Sequence, residues 1–349
     1  MNAIINVRIK ERDSNIELLR IVAMLLVMMV HANFFTLGPP SQTDINTSFV
    51  SSFMRFFCES LCIICVNVYI LISGWFGINA KAKRIIEFIF QIYFIALFIH
   101  LLVTALGVAR PTAISRWIHL FLIKDMWFVK SYIVFYVFTP VLNAFVNAST
   151  KKQLGLIIVT FYIVQTFWGG FISSSDFFSG GYSPLSFMGL YLLGRYIRLY
   201  PTKYTSLSKY FDLLLYFATA IVTTFLSIVS VKIGTDDTIY RLYAYSSPLV
   251  IVSSLYFFLF FSKLKLKSRI INWISISSFA AFLVHGDYQV FGPFYKDFIE
   301  RWFHSASTIN FIINTGLLIT ILFIIAILID KIRIVVWDCG KKLFQKNMN

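Results

Sequence analysis

Long apolar runs dominate the chain, and short segments that hold most of the charged residues separate them. Each run is about 20 residues long, the length that an α-helix needs to cross the hydrocarbon core of a bilayer. The runs are apolar on all sides, unlike the one-sided helices of soluble proteins. We therefore predict an all-α protein with ten membrane-spanning helices at residues 16–35, 54–76, 84–108, 127–147, 153–171, 182–200, 208–233, 242–262, 270–291 and 309–330.

The composition excludes the soluble classes of protein. Of 349 residues, 58% are hydrophobic and only 13% are charged, whereas about a quarter are charged in a soluble domain. No water-soluble fold could cover that much apolar surface, so a soluble enzyme, a disulfide scaffold and a disordered chain are all excluded. Neither an internal repeat nor a linker is visible, and we expect residues 1–349 to form a single membrane domain.

The positive charge indicates topology rather than binding of nucleic acid. The net charge is +15, and membrane proteins concentrate Lys and Arg in their cytoplasmic loops. With a cytoplasmic N-terminus, 21 of the 31 basic residues fall in segments on the cytoplasmic side and seven fall in loops outside. This alternation predicts that both termini are cytoplasmic and that residues 38–48 lie outside.

Three basic residues remain inside predicted spans, namely Arg20, Arg55 and Lys130. A charge within a span indicates a functional site by default, because lipid does not solvate it. Arg55 has an alternative explanation, since Glu59 lies one helical turn further on. Lys130 lies one turn inside the fourth span and could extend its amine to the interface. For these two residues a structural role and a functional role both stay open.

The first span carries the clearest polar pattern. Arg20 and His31 are eleven residues apart, which at about 100° per residue places them on one helix face, separated by about 16 Å along the axis. Glu17 precedes Arg20 by three residues and can pair with it. The side chains could be satisfied by the cytoplasmic interface and a neighbouring helix. Alternatively they face a polar cavity, which in a membrane protein usually carries substrate.

Two further groups lie at matching predicted depths. Ser73 and Gly74 end the second span near the level of Arg20, with Arg84 just beyond. Small residues there allow close helix packing, or close approach of a ligand. A positive cluster at the inner end suits a phosphate-bearing ligand such as a nucleotide or coenzyme A. Near the outer end, Trp127 opens the fourth span, and the ninth span brings His285 to the depth of His31.

Other reactive residues have no polar partners at matching positions in the sequence. Three cysteines share one helix face, but no His or carboxylate completes a ligand set there, so small buried apolar side chains and no metal site are expected. We also interpret two histidines as structural. The cysteines are Cys58, Cys62 and Cys65, and the histidines are His100 and His119.

The pattern resembles the integral-membrane acyltransferase 3 family, whose signature is an arginine, ten residues and a histidine. Arg20 and His31 have that spacing, and Glu17 stands at the acidic position of the family's lead-in. Three later segments are also similar: the aromatic-rich stretch that ends at Ser73–Gly74, the Trp127–Val129 segment with a following proline, and Ser278–His285. The resemblance extends in order from about residue 13 to about residue 330.

Two departures from the family pattern are modest: Phe282 replaces a tyrosine, and the basic run after the second span contains only Lys81, Lys83 and Arg84. No fused extracytoplasmic domain is expected, so the membrane unit would act alone. The resemblance implies a multi-pass protein of the cytoplasmic membrane that moves an acyl group, commonly acetyl, from cytoplasmic acyl-coenzyme A. The implied acceptor is a surface carbohydrate or a lipid-linked glycan, with O-acetylation during polysaccharide biosynthesis as the common case. No permanently bound cofactor and no nucleic-acid partner are implied.

Two hypotheses follow. In the first, the protein is a membrane O-acyltransferase in which His31 is the general base, because a sugar hydroxyl is a poor nucleophile at neutral pH and a neutral imidazole is available there. Arg20, held by Glu17, would fix either the base of the cavity or the pantetheine-phosphate end of the donor, and membrane lipid would surround the site. Direct deprotonation of the acceptor by His31 and a relay of the acyl group through His31 both stay open. In the second, the protein transports or flips a glycan precursor and needs no acyl-coenzyme A. The first hypothesis assigns donor binding to Ser73, Gly74 and Arg84, and the acceptor side to Trp127, Lys130 and His285.

Overall fold

The computed structural model describes residues 12–108, 114–123, 126–173, 175–235 and 237–346, which form helices without any β-strand in those ranges. The all-α prediction is confirmed. The α-helices are α1 (Ser14–Val30), α2 (Gln42–Thr47), α3 (Phe49–Cys62), α4 (Cys65–Phe76), α5 (Ala82–Ala105), α6 (Ile114–Phe121), α7 (Trp127–Ala148), α8 (Lys151–Trp168), α9 (Pro184–Leu199), α10 (Lys209–Lys232), α11 (Asp237–Leu242), α12 (Pro248–Ser262), α13 (Arg269–Ser275), α14 (Ala280–His285), α15 (Tyr288–Val290), α16 (Asp297–Ser305) and α17 (Thr308–Lys346). Two π-helices, His31–Phe35 and Phe291–Lys296, and a 3-10 turn at Ser179–Gly181 complete the set.

Six helical segments among the described residues are long and apolar enough to cross a membrane. They are Ser14–Phe35, Phe49–Phe76, Ala82–Ala105, Trp127–Ala148, Lys209–Lys232 and Thr308–Leu343. The apolar helix α12 is shorter, and α8, α9 and the segment around α13 and α14 are not among the six. The count of ten spans, with both termini in the cytoplasm, therefore stays a prediction.

The ninth predicted span, residues 270–291, is wrong as one continuous helix. It is divided into α13, α14, α15 and the first residue of the second π-helix. Between α13 and α14 the backbone makes tight turns, in which the Ser277 N–H donates to Ile274 and the Ser278 N–H donates to Ser275. The Ser278 hydroxyl also donates to the Ser275 carbonyl oxygen, at 2.9 Å. Serine hydroxyls that bond to the local backbone compete with helical hydrogen bonds, which explains the break.

Local sequence chemistry sets several of the other helix boundaries. Thr150 and Gln153 form a reciprocal capping box at the start of α8, which satisfies backbone N–H groups that the helix leaves free. Ser183 caps α9, whose first residue is Pro184. The chain leaves α8 through Gly170, which has a φ of +108°, a conformation that glycine adopts without strain.

Helix α4 is the centre of the bundle and packs against α1, α9 and α12. Its closest approach is to α9, because a Cβ at Gly74 would collide with the Tyr191 carbonyl oxygen and touch Gly194. Between helices in a membrane, small residues that permit such close packing replace the hydrophobic driving force that operates in water. The arrangement holds α4 firmly beside α1, the helix that carries the polar pattern.

Candidate active site

A cavity of about 560 Å³ lies beside the C-terminal half of α1. Side chains from α1, α3, α4 and α7 line it, together with residues of the segments 239–245 and 279–282. Most of the wall is apolar or aromatic, and the polar side chains on it include His31, Glu59 and Tyr69. A largely apolar cavity with a few convergent polar groups is typical of a substrate site.

The ring of His31 reaches this cavity from a local widening of the first helix. Helix α1 becomes π-helical at His31–Phe35, and the Thr36 hydroxyl donates to the His31 carbonyl oxygen at 2.7 Å. π-helical turns of this kind are frequent at functional sites. The rings of Phe35 and Phe291 pack against the imidazole, with centroid distances of 5.2 and 6.2 Å.

His31 and His285 form a direct hydrogen bond, and this bond fixes the proton positions on both rings. The distance from His31 Nδ1 to His285 Nε2 is 2.8 Å, and His285 Nδ1 lies 2.5 Å from the Ala281 carbonyl oxygen. A carbonyl oxygen can only accept, so His285 Nδ1 donates its proton there. His285 Nε2 of the neutral ring is then an acceptor, and His31 Nδ1 must donate to it. His31 Nε2 consequently carries the lone pair that can accept a proton.

His285 is fully buried behind His31, and the second π-helix supports it. The Tyr295 ring packs against the His285 ring with a centroid distance of 5.5 Å. The Tyr295 hydroxyl in turn donates to the Met28 carbonyl oxygen of α1 at 2.5 Å. The two rings are therefore held between α1 and the segment that follows α14.

A buried carboxylate lies on the same cavity wall. Glu59 is 2% exposed, and its Oε2 accepts a hydrogen bond from Asn33 Nδ2 at 3.0 Å. Arg55 Nε donates to Asn33 Oδ1 at 3.3 Å. Asn33 therefore connects the charged groups of Arg55 and Glu59, whose proximity the helical spacing predicts. The amide comes from the π-helical turn that also carries His31.

Three aromatic rings form another part of the wall. The centroid of Trp127 is 4.3 Å from that of Tyr182 and 5.8 Å from that of Tyr245. Asn67, a fully buried residue of α4, donates to the Tyr245 carbonyl oxygen at 2.8 Å. The rings are thus anchored to the centre of the bundle and line the cavity.

At the other end of α1, the predicted pair of Glu17 and Arg20 is present. Arg20 Nη1 lies 2.5 Å from Glu17 Oε1, and Glu17 Oε2 accepts a hydrogen bond from Ser275 at 2.5 Å. Glu17 is buried, whereas the Arg20 side chain is 30% exposed. The Tyr69 hydroxyl, on the cavity wall, donates to the Arg20 carbonyl oxygen at 2.7 Å. Arg20 therefore lies next to the cavity rather than on its wall.

Ser73 and Arg84, which were predicted to bind the donor, are not among the residues that line the cavity in the described part of the chain. The Tyr132 hydroxyl lies close to Ser73 and within electrostatic range of both Arg20 and Arg84, so these residues face one region. Arg84 is exposed, and its Nη1 donates to the Asn79 carbonyl oxygen at 3.4 Å.

Two further predicted site residues also lie away from the cavity. Gly74 is buried in the contact between α4 and α9, where it permits the close approach to Tyr191. Lys130 has an exposed side chain and does not line the cavity in the part of the chain that the structure describes. His31 and Trp127, by contrast, line the cavity, and the buried His285 lies directly behind His31.

Sequence reasoning treated Glu59 only as a partner for Arg55, and it assigned no role to Asn33, Tyr182 or Tyr245. A carboxylate inside a span is itself a signal of function, so Glu59 could have been identified from the sequence. The other three residues carry no such signal, because uncharged polar and aromatic residues are common in membrane helices and at their ends.

One comparison with known proteins identifies the chain. A family model described as an acyltransferase domain, Acyl_transf_3, matches residues 13–331, which include every element of the site. No curated protein and no solved structure matches the chain. The family match covers most of the 349 residues and agrees with the spacing of Arg20 and His31. The chain therefore belongs to the acyltransferase 3 family and is an acyltransferase with membrane helices.

Proposed function

We propose that the protein is an O-acyltransferase of the cytoplasmic membrane. It moves an acyl group, with acetyl as the first candidate, from cytoplasmic acyl-coenzyme A to a hydroxyl of a surface carbohydrate or lipid-linked glycan. The observation that supports this most directly is the hydrogen-bonded pair of His31 and His285 at the wall of an aromatic cavity. A hydroxyl needs a positioned base to become an effective nucleophile, and His31 Nε2 supplies one.

In the proposed reaction, His31 Nε2 takes the proton of the acceptor hydroxyl as its oxygen attacks the thioester carbonyl carbon. The new carbon–oxygen bond forms, the carbon–sulfur bond breaks, and the proton passes from His31 to the departing thiolate. The products are an ester and free coenzyme A, so atoms and charge balance without a redox step. Donating a proton to the leaving group completes the general acid–base cycle.

His285 acts in this scheme as a positioning residue. Its bond to the Ala281 carbonyl oxygen leaves Nε2 as an acceptor for His31, which keeps the lone pair of His31 on the other ring nitrogen. The hydrogen bond from His31 Nδ1 to His285 Nε2 also stabilises the cation that forms on His31, because hydrogen bonds with a charged partner are the stronger ones. This division of roles parallels the base and its orienting group in other nucleophilic enzymes.

We assign the phosphate-bearing end of the donor to the region of Arg20, Ser73 and Arg84. Two guanidinium groups are present there, and Arg binds phosphate through paired hydrogen bonds. Glu17 holds one nitrogen of Arg20 and so orients the group. The distance of about 16 Å from Arg20 to His31 along the helix is the span that the pantetheine arm of the donor would bridge.

Isolated membranes that receive radiolabelled acetyl-coenzyme A test this function. Wild-type membranes should incorporate label into polysaccharide or glycolipid, and His31→Gln should lower the rate by about 10²–10⁴, because Gln cannot take up a proton near neutral pH. His304→Gln, the same substitution at an exposed residue of α16, is the matched control and should keep the wild-type rate. Absence of label with continued export of glycan precursor would instead favour a transporter.

A further inference from the structure

Glu59 is a buried carboxylate on the cavity wall that the proposed proton transfer does not use. Burying a charged group is costly unless partners compensate it. Its presence on the wall of the cavity that His31 also lines therefore requires an explanation beyond packing, and its surroundings indicate one.

Neighbouring donors satisfy Glu59 only in part. Asn33 Nδ2 donates to Oε2 and also to the Arg55 carbonyl oxygen, at 3.0 and 2.9 Å. Arg55 contacts the carboxylate through Asn33 and donates its own Nη2 to the Gly38 carbonyl oxygen. The Phe34 backbone N–H is a second donor to the carboxylate, which has about four acceptor positions. The group thus keeps the capacity to accept a hydrogen bond from a ligand. Arg55, which is within electrostatic range of both Asp44 and Glu59, already provides a positive charge nearby, so the ligand itself can be neutral.

The rest of the wall includes a cluster of aromatic rings that suits a sugar. Trp127, Tyr182 and Tyr245 form a cluster of rings, and aromatic faces accommodate the apolar face of a pyranose while its hydroxyls point sideways to polar groups. His31 and Asn33 belong to one π-helical turn. The base and the support of the carboxylate are therefore fixed relative to each other.

We infer that Glu59 positions the sugar acceptor. One hydroxyl of the sugar gives its proton to His31 and is acylated, and Glu59 accepts a hydrogen bond from a second hydroxyl. The inference rests on the proposed function and deepens it: the acceptor is a neutral hydroxylated sugar, and Glu59 selects the hydroxyl that reacts. Glu59 is a positioning residue, because its effect on the chemistry acts through the orientation of the substrate.

The test uses a deletion strain that carries the full-length protein as wild type, Glu59→Gln, Glu59→Asp or Glu300→Gln. Nuclear magnetic resonance of the isolated surface glycan gives the amount and the position of the acyl group. Glu59→Gln should lower acylation at the wild-type position about tenfold to a hundredfold, the effect of losing a hydrogen bond to a charged group. Glu59→Asp keeps the charge but retracts it by one methylene, so acylation should move in part to another hydroxyl. Glu300→Gln should match wild type, because Glu300 lies in α16 in a partly exposed ion pair with Lys296.

The apparent KM for radiolabelled acetyl-coenzyme A should stay within twofold of wild type in both Glu59 variants, because the donor end lies elsewhere. An unchanged amount and position of acyl groups in Glu59→Gln would overturn the inference. If Glu59→Gln fails to accumulate, Glu59→Asp decides, and wild-type regioselectivity in that variant would also overturn it. A wild-type glycan without acyl groups, identical to that of the deletion strain, would overturn the proposed function itself.

Discussion

Two substitutions of His285 distinguish its two hydrogen bonds. In histidine, Nδ1 lies two bonds beyond Cβ and Nε2 lies three bonds beyond it, so the amide of Asn replaces the first atom and the amide of Gln replaces the second. His285→Asn can keep the bond to the Ala281 carbonyl oxygen but loses the acceptor for His31. His285→Gln can keep the acceptor for His31. The proposed mechanism needs the bond between His31 and residue 285, so the Gln variant should be more active than the Asn variant.

The structure gives the expected magnitude. The bond from His31 Nδ1 to His285 Nε2 is 2.8 Å long, and it gains strength when His31 becomes cationic. A hydrogen bond to a charged group contributes about 1.5–3 kcal/mol, which corresponds to a rate factor of about 10–150. His285→Asn should therefore lower kcat by about that factor. His285→Gln should lower it by less than about tenfold.

The assay is the initial rate of label transfer from acetyl-coenzyme A in membranes, normalised to the amount of each variant. Thermal unfolding of the purified variants checks that both remain folded. Equal activity of the Asn and Gln variants would refute the tautomer argument. If His285→Gln were as inactive as His31→Gln, His285 would take part in the chemistry directly rather than by orienting His31.

Three further predictions concern other parts of the molecule. Arg20→Lys should raise the apparent KM for acetyl-coenzyme A nearly as much as Arg20→Ala, because a point ammonium cannot reproduce a planar fork; a wild-type KM in the Lys variant would contradict this. Ser41→Cys, at an exposed residue, should react with an impermeant thiol reagent in intact cells, and failure to react would contradict the predicted topology. Gly74→Ala should destabilise the protein by about 1–3 kcal/mol in thermal unfolding, because a Cβ there meets the Tyr191 carbonyl oxygen. Gly316→Ala, where a Cβ meets no described atom within 4 Å, should cause no loss.

The sequence predicted the helical fold and the first helix of the site well, because both depend on local pattern. Apolar runs of about 20 residues determine helices in a membrane. The separation of Arg20 and His31, and the pairing of Glu17 with Arg20, follow from helix geometry alone. The contact between His285 and His31 agrees with the common depth that the charge alternation predicts, although the ninth span is not one continuous helix.

The features that depend on tertiary structure could not be predicted in the same way. The hydrogen bond from Ser275 to Glu17 joins residues that are 258 positions apart in the sequence. The link from Asn33 to Glu59 requires a π-helical turn, which no apolar pattern indicates. Lys130 was placed on the acceptor side by depth alone, and depth does not specify the face of a helix.

The chemical character of the pair suits its location inside a membrane helix bundle. In soluble acyl-transfer enzymes a buried carboxylate commonly orients the base, but an isolated charge in such a bundle is costly. Here a neutral ring and a backbone carbonyl oxygen hold His31, so orientation is obtained without a charge behind the base. The carboxylate of Glu59 lies instead where Arg55 and Asn33 can compensate it. The charge-free support behind His31 and the compensated charge beside the cavity are two solutions to the same constraint, and both place polar atoms against a largely apolar wall.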